Sequence, residues 1–474
     1  MRRSRGSLTS SHCDALGASI SQRGFWVLQF RRNLRRSVLK PLRQWSRSLP
    51  GQLRGGRVVN LLARARRPAL SGTTFIAVTG SCGKSTTVAF ADAFLSTLGK
   101  CGAEVDLAPG LNAYALWKLD RSLRFWVQEV HAPEPGILAG QLTLLKPSIG
   151  VVTVIGGDHY KSYRSLEATA REKGLLIEGL PETGVAILNA DDPSVLGMAA
   201  RTRARLITYG CSEDADLRAT DISAAWPNRL SFTVTYRGQG ARVETQFLGE
   251  VWVTSILAAM AAAIACGADL KTCADCAKSV APIFGRYSIH VRPDGAAFVM
   301  DCRKAPVWTI PRGLTFVQQA RAPRKTTVFG TLSDYPGANG PRYRRVARQA
   351  LQVSDRVIFV GKHAAHVDRL RQGLPPDRLF VFQTTYEASA YLAETISPGE
   401  LVYIKGTNNE HLERLMLAQL DRVVCWLEWC ARAKPCVECS RYRIPRQPPL
   451  NLAGAGRETR EPPTPSPMTR PPGG

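Results

Sequence analysis

Short apolar runs alternate with amphipathic stretches from about Thr73 to Phe284. The apolar runs have the length and residue types of buried strands, whereas the stretches between them repeat their apolar residues with the helical period. This alternation predicts a parallel sheet covered by helices on both faces. The predicted strands are FIAVTG, RFWVQEV, IGVVTVI, VAILNA and RLITYG, and the predicted helices include the stretch after Lys84 and SLEATAREKGLLIEGL.

A second alternating series follows Arg286. It opens with the β-rich stretch SIHVRPDGAAFVM and continues through further strands and helices to EHLERLMLAQL. Its periodicity is that of nucleotide-binding folds. The pattern therefore predicts an α/β protein with two domains: a central domain over residues 71–285, with a parallel sheet and a phosphate loop, and a Rossmann-like C-terminal domain over residues 286–424.

The two ends of the chain differ in composition from these domains. The net charge is +25, and residues 1–70 hold sixteen Lys and Arg against the single acid Asp14. This basic arm is predicted to be either a disordered, solvated segment or a helix on an anionic membrane surface, and we do not expect nucleic acid as a partner. Residues 441–474 are rich in proline and are predicted to form a disordered tail.

Apolar runs long enough to span a bilayer, about 20 residues, do not occur in the sequence. The run ILAAMAAAIACGA at 256–268 is too short and fits a buried helix. The N-terminal residues lack the uninterrupted apolar segment of a secretory signal, so the twelve cysteines are expected to be reduced thiols. These features predict a cytoplasmic protein, held at the inner face of the membrane if the basic arm binds lipid.

The stretch VTGSCGKSTT at 78–87 lies between a predicted strand and a predicted helix. Gly80 and Gly83 allow backbone N–H groups to face an anion, Lys84 supplies a cation for the β- and γ-phosphates, and Ser85 offers a hydroxyl to magnesium. Val78 stands where the common phosphate loop has a glycine. The context favours ATP and Mg²⁺ binding over the alternative, a structural turn.

Six further motifs follow this loop in a fixed order and together resemble the Mur ligase superfamily, most closely its D-Ala-D-Ala-adding branch. The resemblance covers about residues 73–420. The motifs after Thr79 to Thr86 are Glu129 in QEVHAPEPGILAGQLTLLKP, His159 in GVVTVIGGDHYKSY, Lys173 in EATAREKGLLIEGLP, Asn189-Ala190-Asp191-Asp192, Gly285-Arg286 with Asp301 to Pro306, and Lys405-Gly406-Thr407.

The resemblance implies an ADP-forming enzyme of peptidoglycan synthesis that joins a carboxylate to an amino acid or ammonia through an acyl phosphate. It implies catalytic roles for Lys84, Glu129, His159 and Lys173. It implies magnesium binding by Ser85, Glu129, His159 and a carbamylated Lys173. It implies nucleotide binding by Thr79, Gly80, Ser81, Cys82, Gly83, Lys84, Ser85, Thr86, Asn189, Arg286, Asp301 and Lys304.

Each of these assignments has a simpler alternative. His159 is otherwise a surface or hydrogen-bonded loop residue, and Lys173 is otherwise a solvated helix lysine. At the level of the whole chain, the alternatives are a phosphate-loop kinase or ATPase without ligase activity, and a nucleotide-gated scaffold whose arm binds membrane or nucleic acid.

The segment before the phosphate loop bears on the substrate. Family members usually carry a UDP-sugar-binding domain there, whereas residues 1–70 lack strand periodicity. The resemblance therefore implies a chain without that domain and a lipid-linked or polymeric carboxylate. If ammonia is the amine, a glutaminase partner is expected.

A cysteine cluster over residues 425–440 lies outside the family pattern. Cys425, Cys430, Cys436 and Cys439 form C-x4-C-x5-C-x2-C in CWLEWCARAKPCVECSRYR. The closing C-x2-C suits structural zinc, whereas the first pair is wider than usual. The segment with Cys425 and Cys430 is predicted to be helical up to Pro435. Structural zinc and four unpaired thiols are the two interpretations.

Overall fold

The computed structural model describes residues 56–105, 111–430, 432 and 434–439, which divide into two units. The first unit runs to Ala224 and resumes over Arg229–Ala281, and the second consists of Ala225–Asn228 and the residues from Pro282 onward. Most of the predicted basic arm, residues 1–55, and the predicted tail, residues 441–474, lie outside the described residues. None of the described helices is both long enough and apolar enough to span a bilayer.

The first unit is built on a nine-stranded sheet with the strand order β2-β3-β1-β4-β5-β6-β7-β8-β9. Strands β1 to β7 pair in parallel, and β8 and β9 extend the sheet in antiparallel pairs. The strands are β1 Thr74–Thr79, β2 Cys101–Glu104, β3 Phe125–Glu129, β4 Ile149–Val152, β5 Val185–Asn189, β6 Arg205–Gly210, β7 Leu217–Ser223, β8 Ser231–Tyr236 and β9 Gln239–Glu244.

Helices connect the parallel strands of this unit, and some helices of the unit begin at side chains that cap their free N–H groups. Ser165 accepts from the N–H of Ala168, and Asp269 accepts from the N–H of Thr272. The helices are α1 Gly56–Arg66, α2 Lys84–Leu95, α3 Leu111–Trp117, α4 Ile137–Leu145, α5 Tyr160–Tyr163, α6 Leu166–Glu178, α7 Pro193–Leu196, α8 Val253–Ala265 and α9 Leu270–Ala277.

The central strands of the sheet are buried on both faces. Residues 75–79 of β1 are all buried, as are all residues of β3, β4 and β5. Since neighbouring residues of a strand face opposite sides, continuous burial requires cover on both sides. The alanine-rich run is the buried helix α8, and the parallel α/β architecture confirms the predicted fold class.

Strand β1 marks the point where the order of the sheet reverses. It lies between β3 on one side and β4 on the other, and Val78 pairs with Glu129 of β3 and with Val151 of β4. Ligands of open α/β sheets bind outside the carboxyl ends of the strands at such a reversal. The fold therefore brings the segments after β1, β3, β4 and β5 to one edge.

The last part of the predicted arm is folded. Ala63 of α1 is buried, and Leu70 ends a short 3₁₀ helix over Arg67–Leu70 with its side chain in the core. Arg66 donates to the carbonyl of Leu119, and the Arg67 guanidinium lies over the ring of Phe75. The first folded unit therefore begins before residue 71, because these arginines join the body of the unit.

The second unit contains a six-stranded sheet with the order β10-β11-β15-β12-β13-β14. Strand β10 is antiparallel to β11, and the other pairs are parallel. The elements are β10 Ser288–Val291, β11 Ala297–Asp301, β12 Lys325–Phe329, β13 Arg356–Val360, β14 Leu379–Phe382, β15 Leu401–Lys405, α10 Ile310–Gln319, α11 Asn339–Leu351, α12 Thr385–Thr395 and α13 Glu413–Leu417.

A buried ion pair lies at the amino ends of three neighbouring strands of this sheet. Arg356 donates to Glu400 at 2.7 Å, and both side chains are fully buried. The guanidinium also donates to the hydroxyls of Thr326 and Thr395. Each charge of this buried pair therefore neutralises the other, and removing one side chain would leave the other charge buried without a counter-charge.

We expect Glu400→Ala to lower the apparent free energy of unfolding of the second unit by about 3–5 kcal/mol, because it leaves the Arg356 guanidinium buried and unpaired. Denaturant unfolding followed by circular dichroism measures the change. The matched control is Asp368→Ala, which breaks an exposed pair with Arg371 and should change stability by less than about 0.5 kcal/mol. Equal stability of the two variants would contradict the structural role of the pair.

Candidate active site

The loop between β1 and α2 has the backbone geometry of an anion cradle. Gly80 and Gly83 have φ values of 137° and 82°, and a Cβ on Gly80 would overlap the hydroxyl of Thr153. Helix α2 begins after Gly83 without a side-chain cap, so its first-turn N–H groups face the loop. These groups and the helix dipole fit a phosphate.

Hydrogen bonds from the segment after β4 hold this loop in place. The Thr153 hydroxyl donates to the carbonyl of Cys82 at 2.6 Å, and the N–H of Ser81 donates to Val154 at 2.8 Å. The Ser81 hydroxyl both donates to the carbonyl and accepts from the N–H of Gly156. The loop is thus fixed by its neighbour in the sheet as well as by its own turn.

A cation, a hydroxyl and a carboxylate meet at the start of α2. The Ser85 hydroxyl donates to Glu129 Oε2 at 2.6 Å, and Lys84 Nζ lies 3.7 Å from Glu129 Oε1. Lys84 Nζ also donates to the carbonyl of Gly80 at 2.9 Å. All three side chains are buried, Lys84 and Glu129 being 8% and 6% exposed. The structure therefore brings together three of the residues that the sequence singles out.

His131 lies beside this group and was missed by the sequence analysis. Its Nδ1 is 3.8 Å from Glu129 Oε1, and its carbonyl accepts from the Gln141 amide at 2.6 Å. The signal in the sequence was its position two residues after Glu129, just beyond the carboxyl end of β3, where ligands of open α/β sheets bind.

His159 occupies a strained position after β4. It precedes α5 with a φ of 52°, and its Nε2 is 3.6 Å from a carboxylate oxygen of Asp158. Asp158 is 2% exposed, whereas about a third of the His159 side chain is exposed. Within the described chain, Glu129 and His159 do not share a group of three ligand atoms from His, Cys, Asp or Glu within 4.8 Å of one another.

Lys173 is buried in α6 with an exposure of 1%. The alternative of a solvated helix lysine is therefore wrong. The preceding residue, Glu172, accepts from the N–H groups of Gly136 and Leu138 at the start of α4, which fixes this turn of α6. Carbamylation of Lys173 stays a prediction.

The turn with Asn189 is joined to the phosphate loop through the segment after β4. The buried Asn189 amide donates to the carbonyl of Thr153 at 2.9 Å, and its oxygen accepts from the N–H of Asp191. Asp192 accepts from the N–H of Ile155 at 2.7 Å. Asn189 thus shapes its turn, and its contact with adenine stays a prediction.

Tyr209 supports the same segment from β6. Its hydroxyl donates to the carbonyl of Val152 at 2.9 Å. Burial, followed by the charges of Asp192 and Asp191, raises the pKa of this phenol well above its ordinary value. Tyr209 therefore stays a neutral donor at physiological pH.

Arg286, Asp301 and Lys304 lie in the second unit, and their nucleotide-binding roles stay predictions. Asp301 at the end of β11 accepts from Lys405 at 2.6 Å and from the Tyr403 hydroxyl at 2.8 Å. Burial, followed by the Asp301 charge, raises the pKa of Tyr403. The Lys304 side chain is exposed, and Arg286 is partly exposed.

Glu410 was also missed by the sequence analysis. It is buried and accepts from the N–H and hydroxyl of both Thr331 and Thr407. The carboxylate joins the loop after β12 to the loop after β15. The second of these loops begins directly after Lys405, the last residue of β15. A lone Glu in the sequence gave no signal of this role.

The four cysteines of the C-terminal cluster are free thiols, of which Cys436 is buried. The predicted helix through Cys425 and Cys430 is wrong, because residues 421–430 form no helix and only Cys436–Glu438 form a 3₁₀ turn. In the part of the chain that the structure describes, the one group of three close metal-ligand atoms belongs to His411, Glu413 and Cys436. In the described chain, the four thiols therefore do not lie close enough together to share one metal ion as they stand.

The electrostatics of this group are set by hydrogen bonds. Burial alone would raise the pKa of Glu413, but hydrogen bonds from His411 and from the N–H of Cys436 outweigh burial and leave the pKa below its ordinary value. Burial, followed by the charge of Glu413, raises the pKa of the Cys436 thiol. Glu413 is thus a carboxylate at neutral pH.

Comparison with known proteins decides the family. The family model of the Mur ligase middle domain matches residues 78–263. A UDP-N-acetylmuramoyl-tripeptide-D-alanyl-D-alanine ligase of Mycobacterium bovis is 30% identical over 366 residues, which are 71% of this chain and 71% of that protein. The chain belongs to the Mur ligase family.

Solved structures show the same fold. MurF from Acinetobacter baumannii has a TM-score of 0.70 at 22% identity, with 77% of this chain and 81% of that chain covered. The MurF ligase of Thermotoga maritima in complex with ADP has a TM-score of 0.67 at 18% identity, with 76% and 83% covered.

This Mur ligase is an ATP-dependent, ADP-forming enzyme that makes an amide bond between a carboxylate and an amine. The predicted activity is thereby confirmed, and the family favours it over the kinase and scaffold alternatives. The phosphate loop described above is the part of the ligase with the geometry for ATP.

We expect Thr153→Val to raise the KM for ATP roughly fivefold, because it removes a hydroxyl worth about 1 kcal/mol that holds the Cys82 carbonyl of the phosphate loop. Steady-state kinetics at varied ATP measures this effect. Thr143→Val is the control, since the Thr143 hydroxyl bonds only its own exposed helix turn. A similar KM in both variants would show that the tether does not shape the loop.

Proposed function

We propose that the edge of the first sheet binds ATP with Mg²⁺ and phosphorylates a carboxylate of a peptidoglycan precursor, which an amine then converts to an amide. The observation that carries the proposal is the meeting of Lys84, Ser85 and Glu129 at the start of α2. Glu129 lies 3.7 Å from Lys84 Nζ and accepts from the Ser85 hydroxyl at 2.6 Å. This combination is the one that a metal-bound phosphate requires.

The donor set fits magnesium. Mg²⁺ prefers oxygen ligands and keeps several waters, so the Ser85 hydroxyl and the Glu129 carboxylate suffice as direct ligands. His159 and a carbamylated Lys173 would add further ligands from the segments after β4 and on α6. When bound, magnesium would neutralise charge on the phosphates.

The side chains of this edge have distinct roles in the proposed reaction. Lys84, now held by Glu129 and the Gly80 carbonyl, would turn to the β- and γ-phosphates. The N–H groups at the start of α2 would stabilise negative charge on the transferred phosphoryl group. The substrate carboxylate attacks the γ-phosphorus, ADP leaves, and the amine displaces phosphate from the acyl carbon.

Lys173 would act as a carbamate. A buried ammonium is costly, which favours loss of its proton. The neutral amine can then add to carbon dioxide and release a second proton, which leaves a carbamate anion that can bind metal or a cationic partner. Its neighbour Glu172 fixes the helix turn through α4, so the carbamate would have a defined position.

The substrates are inferred from the relatives. Two mycobacterial relatives, from Mycobacterium bovis and Mycobacterium leprae, are named as UDP-N-acetylmuramoyl-tripeptide-D-alanyl-D-alanine ligases. We infer a muropeptide carboxylate and D-Ala-D-Ala as the first pair to test. We infer that the reaction takes place in the cytoplasm, where ATP is available, and at the inner face of the membrane if the carboxylate is lipid-linked.

The test is ADP release from the purified full-length protein with ATP and Mg²⁺. UDP-linked muropeptide, lipid-linked muropeptide and a glutamate polymer are each combined with D-Ala-D-Ala or ammonia. We expect ADP equimolar with a new amide, detected by mass spectrometry, only when both substrates are present. Lys84→Met is the control for contaminating activity. Phosphorylation of an alcohol without an amine would overturn the proposal.

We expect Lys173→Ala to lower kcat about 100-fold, a loss typical of one missing electrostatic group. Formate or acetate should restore part of the activity, because a small carboxylate can occupy the buried space left by the side chain. Lys271→Ala on an exposed turn of α9 is the control and should show neither loss nor rescue. Full activity of Lys173→Ala without added carboxylate would make Lys173 a bystander.

A further inference from the structure

The four cysteines of the C-terminal cluster line one small cavity in the second unit. Residues as far apart as Cys425 and Cys439 reach it, and His411 and Arg414 complete its inner wall. The chain from 421 to 430 is irregular, and one 3₁₀ turn over Cys436–Glu438 is the regular element of the described part after it. Regular secondary structure does not explain why these four thiols line the same cavity, so the explanation lies in the contacts that hold the segment.

The main chain of the first two cysteines is anchored to the body of the unit. The carbonyl of Cys425 accepts from Arg414 at 3.0 Å, and the N–H of Cys430 donates to the carbonyl of Asn409 at 2.8 Å. Arg414 is itself 1% exposed. These bonds fix the backbone positions of both cysteines relative to α13.

Cys436 is anchored by a second pair of buried residues. Its N–H donates to Glu413 at 2.9 Å, and Glu413 also contacts His411 Nδ1 at 2.8 Å. His411 Nε2 lies 3.1 Å from the carbonyl of Arg432. His411 Nδ1 is engaged by Glu413, His411 Nε2 by the Arg432 carbonyl, and Glu413 by the N–H of Cys436. Because these groups already have partners, His411 and Glu413 support the site and the thiols remain its ligands.

We propose that Cys425, Cys430, Cys436 and Cys439 bind one zinc ion, which holds the irregular segment that carries them against the rest of the second unit. Four thiolates are the donor set of closed structural zinc sites. Such a site carries a net charge of minus two, and the cavity is lined by the cations Arg414, Arg432 and Lys434. Each thiol gives its proton to solvent as its sulfur binds.

Closing the site needs rotation of side chains. Sulfur atoms bound to one zinc lie roughly 4 Å apart. In the described chain, the group of ligand atoms that lie this close together consists of His411, Glu413 and Cys436, and it contains one of the four thiols. Cys425, Cys430 and Cys439 are partly exposed, so their thiols can turn toward the buried Cys436 without repacking the core. Val423 and Cys436 already pack in that core.

The first experiment uses the full-length protein purified without chelator. Elemental analysis should give about one zinc per chain, and X-ray absorption should give four sulfur neighbours at about 2.3 Å. A shell with one sulfur and nitrogen or oxygen at about 2.0 Å would indicate a His411, Glu413 and Cys436 site and overturn the proposal. Metal-free protein whose four thiols alkylate in the native state would also overturn it.

Variants separate ligands from supports. Cys430→Ser and Cys439→Ser should each lower bound zinc at least tenfold after dialysis against a weak chelator, and should lower the melting temperature. The control is Cys276→Ser in the C-x2-C of α9, a partly exposed cysteine of the first unit, which should retain all zinc. Full zinc in both cluster variants would contradict the proposal.

His411→Ala tests the supporting role. Because His411 is not a ligand, the variant should retain four sulfur neighbours in X-ray absorption while releasing zinc faster to a chelator. Loss of a nitrogen neighbour relative to the parent protein would place His411 on the metal and overturn the four-thiol assignment. If a variant fails to fold, the absorption spectrum of the parent protein still decides between the two ligand sets.

Discussion

Hydrogen bonds from the short segment after β4 hold the phosphate loop and the Asn189 turn in place at the carboxyl edge of the first sheet. Residues 153–156 contact the phosphate loop through Thr153 and Gly156, and they contact the Asn189 turn through main-chain groups. Neither loop has regular secondary structure of its own to fix it. The parallel sheet places them side by side, and this segment converts neighbouring strand ends into one rigid surface.

The second unit solves the same problem with a different group. There the loops after β12 and β15 are joined by the carboxylate of Glu410, which accepts from both threonines that follow those strands. Asp301 and Lys405 form an ion pair at the same carboxyl edge. In both units, hydrogen bonds between polar side chains and the backbone hold loops whose own sequences specify no regular structure.

Much of the fold was readable because buried parallel strands are continuous apolar runs, as in VAILN of β5, and because helices between them are amphipathic. The contacts of Lys84, Ser85 and Glu129 were predictable for a related reason. The ends of adjacent parallel strands must share an edge, and the phosphate loop has a local signature. For Lys84 and Ser85 the local signature was enough, whereas Glu129 was assigned through the resemblance to the Mur ligase superfamily.

Other features depend on contacts between distant residues that leave no local pattern. The burial of Lys173 follows from how α6 packs, and the role of His131 from its distance to Glu129. The predicted helix at Cys425 failed because Arg414 donates to the Cys425 carbonyl and the Asn409 carbonyl accepts from the N–H of Cys430, which holds the backbone in another path. At Cys425, tertiary contacts overrode local propensity.

The buried pair of Arg356 and Glu400 has a consequence for the opposite end of its sheet. Arg356 begins β13, Glu400 immediately precedes β15, and Thr326 of β12 bonds both, so three strands are aligned at their amino ends. Each of these strands has five residues and is about 16 Å long. The alignment at the amino ends therefore extends to the carboxyl ends, where Lys405 lies. Substitutions in the carboxyl-edge loops can therefore change those loops while the spacing of the strand ends is kept by the buried pair at the amino edge.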